Sequence, residues 1–535
     1  QETISPRFTY HGYRFIEITG IDKPLPVGAV KGVVLSSIHE LASRYETSNT
    51  QVNQLWKNIT WSSYGNFLSI PTDCPQRNER LGWAGDISVF SRTATYLADV
   101  PQFLRRYLRS MRDVQRTDGR FPDIAPLGGG FGGLLWGSAG ITVPWECYQQ
   151  YGDTILLSEH YDAMKRYIQY IIDNTIETET NLIVQTRSWG DLCDWLGLED
   201  EKNDKSLVWE AYFIYDLELM AKMATVLGKV TDAEWFRELH AARKDFFNKT
   251  YIEPETGKTL FSAFVPEKKG SHIDIQTSYV LPLAFNIIDE ENRNKVIANL
   301  AETVRRENTT DRGQQCPSYS LMTGFIGTSW INKALSDYGH SDLAYRLLQQ
   351  TSYPSWLYSI EQGATTIWER LNSYTRTDGF GGNNRMNSFN HYSFGAVGAW
   401  MYNYSLGIQR DETFPGFKQF VLKPMPDPTG KMTYARGYYD SMYGRIESGW
   451  KVESGVIRYT FTVPANTTAT LYLPTASLRD VREKTKPVRK CKGVEFISEG
   501  NGEVVLKLLS GSYSFEVKKD YPLAARKRKK YVFVR

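Results

Sequence analysis

The chain has 535 residues, 41% of them hydrophobic and 23% charged, with a formal net charge of +3. This is ordinary globular usage, so a disordered or membrane class is excluded, and so small a charge gives no reason to expect a nucleic-acid partner. The length allows two to four domains. Aromatic residues are the departure, with 14 Trp and 33 Tyr, rings that suit a core and the apolar faces of sugars alike.

Residues 7–35, RFTYHGYRFIEITG followed by PLPVGAVKGVVL, carry β-branched and aromatic residues in short alternating runs split by Gly and Pro, the pattern of strands. Too few to bury a sheet alone, they are expected to close a β-domain whose earlier part is missing or to pair with another part of the chain. From about residue 50 to 408 the apolar period becomes helical. Leu97, Val100, Phe103, Leu104, Tyr107, Leu108, Met111 and Val114 give one apolar face over 97–114. The pattern recurs from Leu157 to Ile172. It returns from Trp235 to Phe246 behind a Thr231-x-x-Glu234 capping box, and again over 207–227, 290–306 and 334–350. About a dozen helices without a fixed-period repeat predict an α/α barrel rather than a repeat family.

After Pro415 the strand signal returns. Ile457, Tyr459, Phe461 and Val463 alternate with polar residues, PANT turns the chain, Ala469, Leu471 and Leu473 alternate again, and GEVVLKLLSGSYSFEV at 502–517 adds another hairpin. These runs predict a C-terminal antiparallel β-sandwich. The expected division is a β-strand remnant or linker at 1–45, the helical domain at 46–412, the sandwich at 413–518 and a solvated basic tail at 519–535.

Five Cys, an odd number with no C-x-x-C pair, read as mostly free thiols and suggest no metal site. No run of about 18 apolar residues would span a membrane. The absence of a charged-then-apolar leader at Gln1 fits a cytoplasmic protein or a mature or trimmed chain.

Polar and aromatic clusters interrupt the helical segments, where loops carry chemistry. The first, TDCPQRNERLGWAGD at 72–86, holds Asp73, Arg77, Glu79, Arg80, Trp83 and Asp86; the second holds Trp136. The third, WGDLCDW, holds Trp189, Asp191, Asp194 and Trp195, and the fourth runs from Gly363 to His391, with Glu369 in GATTIWER. Glu79 and Glu369 each stand near a Trp and an Arg, surroundings that suit acid/base work on a sugar. If helical turns continued through the first cluster, Asp73, Glu79 and Asp86 would share one face. Like charges there raise one another's pKa unless an Arg intervenes.

DCPQRNERLGWAGD resembles the signature of the α-L-rhamnosidases of glycoside hydrolase family 78, usually DCPQRDERLGWTGD, and GATTIWER followed by NSFNHY resembles the second family signature. The similarity runs through TGFIGT at 323–328 and YPSW at 353–356 and covers roughly residues 5–475. It implies a multidomain α plus β protein: a central (α/α)6 barrel, short N-terminal β-strands and a C-terminal sandwich. It also implies inverting hydrolysis of terminal α-L-rhamnosides in a glycoside or polysaccharide, without cofactor or metal. By the same resemblance Glu79 is the general acid and Glu369 the base that activates water. Asp73, Arg77 and Asp86 would bond the rhamnose hydroxyls, Trp83, Trp136 and Trp195 would enclose the ring and its methyl, and His391 would be a further hydroxyl contact. Family analogy favours a bacterial periplasm or cytoplasm.

Against the family pattern the chain departs at Asn78, where Asp is frequent, and at Ser138, where Asp is frequent in WGSA, and it is expected to depart at its front, where members commonly carry additional β-domains. Blander readings stand beside these. Either Glu could be a structural ion pair, Asp73 a helix cap braced by Arg77, Trp136 and Trp195 core, His391 a satisfied structural His, and Asp191 and Asp194 simple Asx turns. The rival functions are an inverting α/α-barrel glycosidase for another sugar, such as glucose, and a sugar-binding protein that has lost catalysis.

Overall fold

Two kinds of helix alternate along the chain, one buried all round and one with a single apolar stripe. The computed structural model describes residues 3–13, 15–77, 79–130, 133–185, 192–381, 387–453, 455–483 and 486–518. Helix α1 spans Thr50–Asn66, and its cap Asn49 accepts from the Gln51 and Val52 amides. It is followed by α2 (Ala84–Leu97), α3 (Pro101–Asp113), α4 (Ala139–Tyr151), α5 (Thr154–Thr175) and α6 (Lys205–Val226). Then come α7 (Val230–Tyr251), α8 (Gln276–Ala284), α9 (Glu290–Arg305), α10 (Phe325–Asp337), α11 (Ser341–Leu348) and α12 (Trp356–Glu361). A continuous 3-10, α and π run over 393–405 ends the helical region.

Helices α2, α4, α6, α8, α10 and the 393–405 run touch in that order, and the last returns to the first, closing a circle. Every residue of α8 is buried, as is every residue of α4 except Tyr151. The intervening helices lie outside. Helix α3 buries only Leu104, Tyr107, Leu108 and Met111, one stripe at helical spacing. Helix α1 completes the outer layer, with Ile59 against Gly395 of the terminal run. The result is the expected (α/α)6 barrel.

Two expected helices are each broken in two. The run over 97–114 holds the last residue of α2 and the whole of α3, with Pro101 supplying the first turn of the latter. The run over 334–350 is interrupted between α10 and α11, where Gly339 takes φ 85°. The Thr231 box lies inside the first turn of α7 rather than capping it, because the reversal at Gly228, φ 68°, lets the helix begin at Val230.

Residues 7–35 contain no strand among the described residues, only a 3-10 turn at Val27–Ala29, and Phe8, Phe15, Val27 and Val33 are exposed. Alternation makes a strand only where a neighbour shares its ladder. The first strand that has one is β1 (Ser43–Thr47). Two small hairpins, β2 (Phe67–Leu68) with β3 (Ile70–Pro71) and β4 (Asn308–Thr309) with β5 (Gln315–Cys316), decorate the barrel.

The remaining strands are β6 (Ile408–Arg410), β7 (Gln419–Leu422), β8 (Tyr434–Ser441), β9 (Gly444–Glu453), β10 (Val456–Val463) and β11 (Thr468–Leu473). They continue with β12 (Val481–Glu483), β13 (Lys486–Pro487), β14 (Val494–Gly500), β15 (Glu503–Leu508) and β16 (Gly511–Lys518). One sheet runs β1-β8-β9-β10-β16-β12-β13 and the other β14-β15-β11-β7-β6. All pairs are antiparallel except β7 with β11. The segment 502–517 is not a hairpin: β15 and β16 belong to different sheets, and their inward residues Val504, Leu506, Leu508, Tyr513, Phe515 and Val517 are buried. The sandwich is docked on the barrel by Trp450, whose indole N–H donates to the Ser405 carbonyl at 2.8 Å, and by Tyr345, whose hydroxyl donates to the Met425 carbonyl at 2.6 Å. No helix among the described residues is long and apolar enough to cross a membrane.

Candidate active site

The start of α2 meets the start of the 393–405 run at one end of the barrel, and the loops before them carry the first and fourth clusters. Asp86, in the first turn of α2, accepts at Oδ1 from the Ser393 hydroxyl and from His391 Nε2, each at 2.7 Å. Burial alone would lower the pKa of His391, but the Asp86 carboxylate and, more weakly, Glu369 and Asp73 push it up to about 9. Its other nitrogen, Nδ1, is buried and has no partner among the described residues, so the imidazolium holds one donor in reserve.

The first cluster is a closed loop, not a helix, and the expectation of three acids on one helical face fails. Asp73 folds the loop on itself: its amide donates to the Leu81 carbonyl and its Oδ1 accepts from the Leu81 amide, both at 2.9 Å. Arg80 takes φ 51° to make the turn. Burial raises the Asp73 pKa to about 7 against the pull of His391. Gln76 ties this loop to the fourth cluster through Ser388, at 3.0 Å.

An Arg does intervene between the carboxylates. Arg77 lies 2.8 Å from Glu79 Oε2 through Nη2 and 3.9 Å from Glu369 Oε2 through Nη1. Each carboxylate also takes an indole N–H, Glu79 from Trp83 at 2.8 Å and Glu369 from Trp195 at 3.4 Å. Glu369 is only 7% exposed. Its strand-like register comes from paired backbone bonds, the Glu369 amide to the Ser388 carbonyl and the His391 amide to the Ile367 carbonyl, both at 2.9 Å. Glu79, with a side chain 25% exposed, is the more open of the two.

Trp136 is buried flat against the backbone of Gly85, where an added Cβ would stand 2.5 Å from the ring. This contact explains a Gly inside the first turn of α2. Ser138 points away from the cleft: its hydroxyl accepts from the Leu135 amide at 3.2 Å and donates to the buried Asp216 of α6 at 2.6 Å. Asp194 is structural. It accepts from the Gly324 and Gly327 amides at 2.8 and 2.9 Å and from the Thr277 hydroxyl, which fixes the start of α10 beside Trp195. Asn78, Trp189 and Asp191 lie outside the described residues.

Ser393, Ser388, Gln76 and Phe325, whose ring is 5.3 Å from that of His391, belong to the site but carry no signal of their own in the sequence. Asp73, Cys74 and Glu79 each bring one metal-capable atom within 4.8 Å of the others. These atoms are already engaged, the thiol with Asp73 at 2.7 Å and Glu79 with Arg77, and burial raises the Cys74 pKa.

The fold and this cluster define a six-hairpin barrel protein with two carboxylates, Glu79 and Glu369, linked by Arg77 at one end of the barrel. A family model described as the bacterial alpha-L-rhamnosidase six-hairpin glycosidase domain matches residues 40–405, and the model of the bacterial alpha-L-rhamnosidase C-terminal domain matches residues 407–487. The chain belongs to the bacterial α-L-rhamnosidase family. It is 37% identical to an alpha-L-rhamnosidase of Streptomyces avermitilis over 97% of this chain and 46% of that protein, and 34% identical to one of Formosa agariphila over 96% and 53%. Among solved structures it superposes on Streptomyces avermitilis alpha-L-rhamnosidase complexed with L-rhamnose with a TM-score of 0.78 at 36% identity, over 90% of this chain and 43% of that one. It superposes on alpha-L-rhamnosidase from Dictyoglumus thermophilum with a TM-score of 0.81 at 32% identity, over 96% and 55%. The chain spans about half the length of the curated relatives it matches.

Proposed function

We propose that this chain hydrolyses terminal α-L-rhamnosides with inversion, Glu79 acting as general acid and Glu369 as the base that activates water. The observation that carries the reading is one guanidinium, Arg77, reaching carboxylates from two motifs 290 residues apart. The two contacts and the width of a guanidinium limit the separation of the Oε2 atoms to about 9 Å, which admits the roughly 6.5–9.5 Å spacing of inverting glycosidases. The more open Glu79 is suited to meet the leaving group, and the enclosed Glu369, steered by the Trp195 indole, is suited to hold a water under the anomeric carbon. Trp83, Trp136 and Trp195 supply the apolar walls for a 6-deoxy sugar. Asp73, Arg77 and the His391–Asp86 pair supply its polar clamps. His391 Nδ1 is the atom free to reach a ring hydroxyl, so in this reading Asp86 acts mainly by holding His391 charged.

The test is hydrolysis of nitrophenyl α-L-rhamnoside, α-L-fucoside, α-D-mannoside and α-D-glucoside by the wild type, Glu79→Gln and Glu369→Gln, with NMR of the first sugar released. Turnover confined to the rhamnoside with β-rhamnose appearing first is expected. Glu79→Gln should lose most on poor leaving groups, and Glu369→Gln should lose about 1000-fold or more on all of them. First release of the α-anomer would refute inversion, and selective turnover of another sugar would refute the substrate.

A further inference from the structure

Of the described residues between 3 and 35, Tyr10 alone is not exposed. What it packs on is the loop of the first cluster. The Arg80 guanidinium lies 5.1 Å from the centre of the Tyr10 ring. Two residues further on the backbone itself meets that loop, since a Cβ added to Gly12 would stand 2.8 Å from Gln76 Cα. Arg80 is bonded through its edge, Nε donating to the Arg77 carbonyl at 3.1 Å, which keeps the face of the cation for an aromatic ring. Burial raises the Tyr10 pKa against the pull of Arg80, so the ring stays a neutral phenol.

Two lines of contact lead from this segment to the carboxylates. Tyr10 holds Arg80, Arg80 holds the backbone of Arg77, and the Arg77 guanidinium binds Glu79 at 2.8 Å and reaches Glu369 at 3.9 Å. Gly12 lies on Gln76, which donates to the Ser388 hydroxyl at 3.0 Å, and the Ser388 carbonyl accepts from the Glu369 amide at 2.9 Å. Arg80, at φ 51°, is also the turn of the loop. A side chain in that region is strained and persists only where its surroundings hold it.

We propose that Tyr10 and Gly12 are positioning residues, which hold the Asp73–Leu81 loop in shape and so set the placement of Glu79 and, through Gln76, of Glu369. Neither acts on the substrate itself. For its effect on turnover the proposal rests on the roles given above to the two carboxylates.

Hydrogen exchange read by mass spectrometry tests the contact without reference to any reaction. In Tyr10→Ala the amides of residues 73–81 should exchange about tenfold faster than in wild type, at an unchanged unfolding midpoint. Tyr10→Phe, which keeps the ring, should match wild type, and Gly12→Ala should behave as Tyr10→Ala. Equal exchange in wild type and Tyr10→Ala, or faster exchange in Tyr10→Phe as well, overturns the proposal, and a lowered midpoint would make Tyr10 a packing residue instead. On aryl α-L-rhamnosides Tyr10→Ala should lower kcat about tenfold or more with little change in KM, and most on poor leaving groups, where a displaced acid is missed most. Losses equal across leaving groups would count against the placement of Glu79. A wild type inert on rhamnosides would refute the proposed function and leave the exchange result to decide this inference.

Discussion

His391 is where local charge decides behaviour. In the folded chain Asp86 keeps its imidazolium to about pH 9, whereas unfolded it deprotonates near its ordinary 6.5. A folded pKa above the unfolded one gives stability that is complete below pH 6.5 and is lost as the pH rises through 9. Asp73 follows the same sign in a lower window, since burial raises it from 3.8 to about 7. Urea unfolding at a series of pH values should therefore show stability falling between pH 6.5 and 9 by up to about 3 kcal/mol, and the slope should flatten in His391→Gln. An unchanged slope in that variant would place the titration elsewhere. Glu79, Glu369, Arg77 and His391 were legible in the sequence because charged and aromatic residues crowded into loops are conspicuous. The pairing of Asp86 with Ser393 was not, because a hydroxyl is unremarked in any composition and its partner lies 307 residues away. Ser138 was conspicuous for the opposite reason, as a departure from a signature, yet it faces Asp216 and not the cleft.

Among the elements, Asp194 shows how far a cap can reach. It bonds the amides of Gly324 and Gly327 and the hydroxyl of Thr277, joining the loop that carries Trp195 to the starts of α8 and α10. Asp194→Ala should cost about 2 kcal/mol or more by leaving buried amides unpaired. It should also weaken catalysis, because Trp195 loses the support of its neighbour. Circular-dichroism melting with kinetics on the same sample checks both, and a variant as stable as wild type would show the contacts to be incidental. The apolar stripe of an outer helix such as α3 was readable from periodicity, though not its bounds. Inner helices such as α8 have no polar face and so no period to read. In the sandwich, alternation marked the strands well but could not say which sheet each joins, because a strand that turns back in its own sheet and one that crosses to the other present the same inward residues.

For the molecule as a whole, β1 lies before the barrel and completes a sheet made after it, pairing Ser43–Thr47 with Ala435–Tyr439. Its own Ser43 and Tyr45 also bond Tyr402 and Ser405 at the end of the barrel, each at 2.8 Å. A strand shared in this way couples the two bodies. Scanning calorimetry should give one transition in place of the two that separable domains would show; two resolved endotherms would mean that the shared strand transmits little.

The same strand has a consequence in time. Roughly 390 residues must be made between Thr47 and the strand that pairs with it, which at 5–20 residues per second is about 20–80 s of synthesis. Throughout that interval the stretch SRYET is a sheet edge without a sheet, while the barrel that hides one of its sides grows around it. Newly made chains would thus be vulnerable to wrong pairing at Ser43–Thr47 until Tyr434–Ser441 has left the ribosome.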